Sequence, residues 1–275
     1  MTQNDTIENG LYYRHWPVEE HTKPKAVVLL VHGLGEHCQR YEHLASFFNL
    51  SVYALSSMDL PGHGKSDGVR GHIDSFDTYQ AAVLKLIEKA IKQYPQTKLI
   101  LLGHSMGGLI ATRLLLNHQD KFDAAILSGP AIESPQEPPA WQVAFIKTIA
   151  KFFPKAKMLA LDASAVSRDP DVVETYMNDP LVSHEKLSAQ FLVAMTASMD
   201  ECKDHANRIK LPLLVMHGEK DVITSPNGSK LLIESVSSGD KALKIYNGLF
   251  HEIFNEPEKE QIFAEMLEWV EPRIN

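Results

Sequence analysis

Apolar positions along this chain fall into two rhythms. Short unbroken runs, Ala26-Val-Val-Leu-Leu-Val31, Val52–Met58, Leu99–Leu102, the stretch from Phe122 to Leu127 and Leu213–Met216, are too brief for helices and read as buried strands. Leu11–Trp16, after the Asn9-Gly10 turn signal and before Pro17, predicts a further strand, and Leu243–Tyr246 the last one. Between them, Tyr41–Leu50, Phe76–Tyr94 with its Pro95 stop, the run beginning at Leu109, Gly228–Ser237 and Glu258–Val270 carry helical spacing. Strands alternating with helices at crossover spacing specify an α/β fold: a mostly parallel sheet flanked by helices.

The alternation breaks once. From Ala131 to about His205 strands vanish, Pro135, Pro138 and Pro139 cluster, and helical patterns take over. The chain therefore divides into core residues 1–130, an inserted helical cap over 131–205, and core residues 206–275. Within the cap, Trp141, Phe145, Ile149 and Phe152 share one helical face, with Ile146 and Phe153 beside it and Lys147, Lys151, Lys155 and Lys157 nearby. Such a face either packs on the core or forms an apolar lid. A lid would line an acyl channel and lean on membranes or lipid aggregates, with the lysines at the interface.

Charge and cysteine content narrow the partners. A net charge of −8 lacks the basic stripe that nucleic acid requires and does not favour anionic headgroups. Two cysteines, Cys38 and Cys202, supply neither a disulfide framework nor a metal-ligand spacing, so no metal is expected. No leader or membrane span is visible in the polar opening residues, and the expected compartment is the cytoplasm.

The chemistry gathers where the strand patterns end. After Leu99–Leu102 come Gly103, Ser105 and Gly107, the G-x-S-x-G spacing that exposes a serine on a sharp strand-to-helix turn. A serine hydroxyl needs a base, and the base needs a carboxylate. Asp221 follows the Leu213–Met216 strand and its turn, and His251 follows the last strand, in the order serine, acid, base. Glu219 and Asp240 are weaker rivals for the acid, since one precedes the turn's end and the other precedes a strand. Two backbone donors should hold the oxyanion: the N–H of Met106, and that of Leu34 in the glycine-rich His32-Gly-Leu-Gly loop. Asp59-Leu-Pro-Gly-His-Gly-Lys-Ser66 reads as an aspartate anchoring a tight turn.

With these residues placed, the chain resembles the α/β-hydrolase superfamily and, within it, the monoacylglycerol lipase (monoglyceride lipase) group. The likeness rests on His32-Gly-Leu-Gly-Glu-His37 with Arg40-Tyr41, Gly62-His-Gly-Lys-Ser66, Gly103–Gly108, Asp221, Leu243–His251, and the cap stretches Leu161–Pro170 and Tyr176–Leu181. It implies Ser105, Asp221 and His251 as a catalytic triad, Leu34 and Met106 as oxyanion donors, and no cofactor. It also implies that Glu36, Arg40 and Tyr176 lie near the polar glycerol end, the alternative for each being a loop salt bridge or capping contact. The implied activity is ester hydrolysis of monoacylglycerols. Alternatives are a broader carboxylesterase or lysophospholipase, a peptidase, or a ligand-binding relative without turnover. One departure stands out: Phe254 occupies the position where some members carry a second histidine near the glycerol end.

Overall fold

The computed structural model describes residues 4–136, 138–160 and 163–274. Among these, the first strands are β1 (Asn4–Glu8), β2 (Leu11–Trp16) and β3 (Ala26–Val31), followed by α1 (Glu42–Leu50), β4 (Ala54–Met58), α2 (Asp77–Gln93), β5 (Lys98–His104), α3 (Met106–His118) and β6 (Ala124–Ser128). The inserted segment holds α4 (Ala140–Phe152), β7 (Lys157–Leu159), α5 (Pro170–Asn178), β8 (Leu187–Ser188) and α6 (Ala189–His205). The chain closes with β9 (Leu213–Gly218), α7 (Pro226–Ser235), β10 (Lys241–Tyr246) and α8 (Lys259–Ile274).

Eight strands form one sheet in the order β1-β2-β4-β3-β5-β6-β9-β10. In it β1 pairs with β2, and β2 with β4, antiparallel; β4, β3, β5, β6, β9 and β10 are mutually parallel. Because side chains alternate along a strand, each apolar run feeds two cores. Val27, Leu29 and Val31 face one with Leu99 and Leu101, beneath α2, α3, α6 and α7. Val28 and Leu30 face the other with Ile100 and Leu102, beneath α1 and α8. Burial on both faces is why these strands read as continuous rather than alternating runs.

Three details differ from the sequence expectation. Strand β1 was not anticipated: Asn4-Asp-Thr-Ile-Glu8 is exposed throughout and carries one apolar residue, so no period marks it. The insertion is not strand-free, since β7 and β8 form a short antiparallel pair. Helix α7 begins two residues early, because Ser225 caps it by accepting from the Asn227 N–H at 3.3 Å, with Pro226 at the first helical position. The motif residues Leu161 and Asp162 lie outside the described residues.

The insertion is fastened unevenly. Helix α6 buries Phe191 and Cys202 in the core under α3, so residue 205 ends a helix that belongs physically to the main layer. Helix α4 does the opposite. Only its Ala150 is buried, while Trp141 is 71% and Phe145 53% exposed, and Phe152 and Phe153 beside them are exposed too. The alternative that this apolar face packs on the core is therefore not realised.

Candidate active site

Residues 103–107 form the sharp turn that the spacing predicts, and its glycines are sterically required. A Cβ on Gly103 would lie 2.6 Å from the Gly107 carbonyl oxygen, and one on Gly107 would lie 2.1 Å from that of Val31. Ser105 sits at φ 55°, ψ −120°, a left-handed conformation costly for a residue with a Cβ. Neighbouring strands hold it there. Its N–H donates to the Ser128 carbonyl at 2.9 Å, and its own carbonyl accepts from Ala131 N–H at 3.0 Å. Helix α3 starts at the next residue, so the Met106 N–H belongs to the helix terminus, where amides lack intrahelical acceptors and the dipole is positive.

Asp221 and His251 come from the ends of β9 and β10 and meet closely. The His251 Nδ1–H donates to Asp221 Oδ2 at 2.6 Å. Asp221 is further held by the Ile223 and Thr224 amides, donating to Oδ1 at 2.8 and 3.0 Å. Burial opposes its charge, yet His251 beside it, His217 and these donors hold its carboxyl well below the usual carboxylate range. For His251 burial likewise disfavours the cation, but the adjacent Asp221 carboxylate prevails and raises its pKa above 6.5. The ring lies beside His104, centroids 4.8 Å apart, which brings it next to the residue preceding Ser105. His104 itself is driven down to about 4 by burial and then by His251, so it stays neutral near pH 7.

The rival acids are placed elsewhere. Glu219 accepts from the Gly248 N–H at 3.1 Å, and Asp240 pairs with Arg273 at 2.6 Å on the surface. Asp59 is fully buried and accepts from the Cys38 and Lys65 amides, anchoring the turn of residues 59–66.

The loop carrying Leu34 is shaped by Glu36. Its Oε1 accepts from the Gly33 N–H at 2.6 Å and the Tyr41 hydroxyl at 2.7 Å, and its Oε2 from Arg40 Nη1 at 2.7 Å. With both oxygens engaged and the side chain buried, Glu36 acts on the loop and is not left open to a ligand. Arg40 continues the network, donating from Nη1 and Nη2 to the two oxygens of Glu252, each at 2.7 Å. It also lies 4.5 Å over the Tyr176 ring of α5. One guanidinium thus ties together the loop carrying Leu34, the residue after His251 and the insertion. Three more contacts fix the insertion here. The Ser183 N–H donates to the Gly35 carbonyl at 2.7 Å, the Glu252 N–H to that of Val166 at 2.8 Å, and His37 Nε2 lies 2.8 Å from Asp179.

Two cavities flank the network. One of about 20 Å³ is bordered by Leu34, Gly35, Tyr176 and His184. The other is an open groove of about 570 Å³ bordered by Arg40, Asp179 and Asn255. Phe254 is buried beside His104 and Phe263, so that position packs and offers no polar contact. Trp141 and Phe145 lie on the exposed face of α4. Both cysteines are fully buried, and burial pushes the Cys38 and Cys202 thiols well up. Among the described residues no cluster of His, Cys, Asp or Glu is placed to hold a metal ion, and no helix is long and apolar enough to cross a membrane.

Sequence reasoning passed over four contributors: His217, Thr224, His104 and Glu252. Thr224 had a signal in the Asp-x-x-Thr spacing, which lets a carboxylate cap a following turn. His217 and Glu252 had none beyond adjacency.

Residues 22–258 match the family described as Serine aminopeptidase, S33. The chain is similar to the monoacylglycerol lipase of Mycolicibacterium smegmatis, 38% identical over 249 residues that cover 90% of this chain and 89% of that protein. It is also similar to the monoglyceride lipase of Rattus norvegicus, 32% identical over 267 residues, 96% of this chain and 88% of that one. Among solved structures, the monoacylglycerol lipase of Paleococcus ferrophilus superposes with a TM-score of 0.85 at 34% identity, covering 96% of this chain and 99% of that one.

Proposed function

The chain belongs to the serine aminopeptidase S33 family and has the α/β-hydrolase fold, and from that membership and the site geometry we infer that it hydrolyses monoacylglycerols to fatty acid and glycerol. The observation that carries this reading is a serine held at positive φ at the strand-to-helix turn, with a buried aspartate–histidine pair at 2.6 Å whose ring lies against His104, the residue before it. Relatives about one-third identical across nearly their whole length and named for monoacylglycerol hydrolysis supply the substrate class.

In the proposed reaction Ser105 Oγ attacks the ester carbonyl while His251 Nε2, the ring nitrogen opposite Asp221, takes its proton. Negative charge forming on the carbonyl oxygen is held by the N–H groups of Met106 and Leu34. Glycerol leaves with the proton returned by His251, and the same imidazole then activates water to release the fatty acid. Asp221 stays ionised throughout, fixing the ring and stabilising the imidazolium. Glu36 maintains the oxyanion loop, while Arg40 and Tyr176 border the glycerol end. Helix α4 presents Trp141 and Phe145 to solvent amid lysines, which suits peripheral contact with lipid aggregates through the cap.

The test is glycerol release from monoacylglycerols of graded chain length, beside di- and triacylglycerols, a lysophospholipid and an aminoacyl amide, with Ser105→Ala as control. Preference for monoacyl substrates, lost in Ser105→Ala, supports the assignment. Faster turnover of the lysophospholipid or the amide would replace the substrate, and activity surviving in Ser105→Ala would remove the nucleophile.

A further inference from the structure

Asp221 Oδ2 has a second imidazole on it. His217, at the end of β9, places Nε2 3.0 Å from the same oxygen that receives the His251 proton donor. The His217 side chain is wholly buried, and its Nδ1 lies 2.7 Å from Ser229 Oγ on α7. We propose that His217 is a positioning residue for the catalytic acid, fixing the Asp221 carboxylate and moderating the charge it presents to His251. This rests on the triad reading above and deepens it.

The tautomer follows from the neighbours. Nε2 faces two oxygens that can only accept, Asp221 Oδ2 at 3.0 Å and the Thr224 carbonyl at 3.3 Å, with the Thr224 hydroxyl farther off at 3.4 Å, so it must carry the proton. Ser229 supplies a hydroxyl to Nδ1, which completes the ring and prevents it from turning. Three other buried histidines also touch a serine hydroxyl: His15 with Ser56, His72 with Ser188 and His104 with Ser128. His15 and His72 contact packing or loop partners, and His104 lies beside the His251 ring without reaching Asp221. In His217 the arrangement is aimed at the acid.

The other donor to Oδ2 cannot replace it. Thr224 Oγ1 lies 2.9 Å from Oδ2, but also 3.0 Å from the Gly129 carbonyl, and its one hydrogen serves only one of them at a time. Without the His217 N–H the carboxylate keeps His251, a shared hydroxyl and the two amides on Oδ1. More negative charge then falls on His251, whose imidazolium is stabilised, so a larger share of the base is protonated at a given pH. The titratable groups facing the His251 ring are Asp221, His104, Glu252 and Glu36, and all are retained when His217 is replaced.

The experiment compares His217→Leu and His217→Gln with the parent chain on p-nitrophenyl butyrate from pH 5 to 9, with Ser105→Ala as control. Leucine fills the space without a donor, whereas the glutamine amide restores one. One hydrogen bond to a charged group corresponds to about tenfold in rate, so His217→Leu should lose about tenfold in kcat with KM within about twofold. Its acid limb should move to higher pH, and His217→Gln should restore both. Parent-like kcat and limb in His217→Leu would overturn the proposal, as would equal losses in both variants with an unmoved limb. Should His217→Leu fail to fold, Ser229→Ala loosens the same ring and should move the limb in the same direction; an unmoved limb there overturns the proposal. Ser105→Ala separates the two levels. Residual turnover in it removes the triad reading and this proposal together, whereas an inactive Ser105→Ala beside an unaltered His217→Leu removes this proposal alone.

Discussion

Arg40→Ala should damage the protein far more than loss of a surface ion pair, and in a pH-dependent way. Arg40 is the cation between two buried carboxylates, Glu36 and Glu252, with all three contacts at 2.7 Å. Burial alone would raise the Glu36 carboxyl, yet Arg40, with His104 and His32 nearby, brings it from 4.5 down to about 2. A lowering of that size corresponds to about 3 kcal/mol of stability at neutral pH. Breaking a buried pair by removing one partner costs about 3–5 kcal/mol, in the same range. For a domain of this size the melting temperature should therefore fall by roughly 6–15 °C at pH 7.

The sign with pH is specific. In the parent chain the depressed Glu36 pKa gives stability that is present above 4.5 and lost as pH falls through about 2. In Arg40→Ala burial acts with its main opponent removed and the folded pKa rises above 4.5. The deficit is then full well above that raised value, shrinks as pH falls toward 4.5 by the penalty of the raised pKa, and loses the parent chain's own share only as pH falls on through about 2. Urea unfolding of both chains at pH 8, 7 and 5 reads this directly. A deficit below about 1 kcal/mol at pH 7, or one constant from pH 8 to 5, would refute the reasoning.

Three further outcomes are expected. The pH profile of kcat/KM should show an acid limb above 6.5, because Asp221 raises the pKa of His251 and only the neutral ring serves as base; a limb below 6.5 would contradict the pairing. Gly107→Ala drives a Cβ to 2.1 Å from the Val31 carbonyl oxygen, which should displace the loop carrying Leu34 from Ser105 and, if that loop holds the oxyanion, cut kcat about 10²-fold; near-parent kcat would show that the turn can relax. Trp141→Ser with Phe145→Ser should weaken liposome sedimentation about tenfold or more while leaving turnover of a soluble short-chain ester unchanged; unaltered sedimentation would exclude α4 as the contact face.

Strands buried on both faces were plain in the sequence because a two-sided environment selects long apolar runs such as Ala26–Val31. Ser105 and its glycines were equally plain, since the turn admits almost nothing else. Asp221 and His251 followed from chain order and strand ends, and the structure brings them within one hydrogen bond. What stayed hidden was polar and long-range. Glu252 and Arg40 are 212 residues apart, and no local pattern joins them. Glu36 lies in a motif that suggests ligand contact, but only the fold reveals that its oxygens are spent on Gly33, Tyr41 and Arg40. The edge strand β1 escaped because exposed backbone pairing leaves no apolar period. For helix α4 the sequence allows two readings, its amphipathic spacing being the same whether the apolar face meets a core or a solvent boundary, and only the fold decides for the exposed one.

The uneven attachment of the insertion divides labour along the chain. Its inner portion, from Val166 to Ser188, is tied to Gly35, His37, Arg40, Gly71 and Glu252, so whatever disturbs it reaches the loop carrying Leu34 and the backbone beside His251. Helix α4 buries a single alanine and packs on α6, away from those ties. Its outer face can therefore drift in sequence, trading aromatics for lysines or the reverse, without disturbing the hydrogen bonds that shape the Ser105 turn and the Asp221–His251 pair. The same division makes α4 a natural graft point: its outer face could be exchanged there as a unit, leaving the packing around Ser105 and His251 untouched.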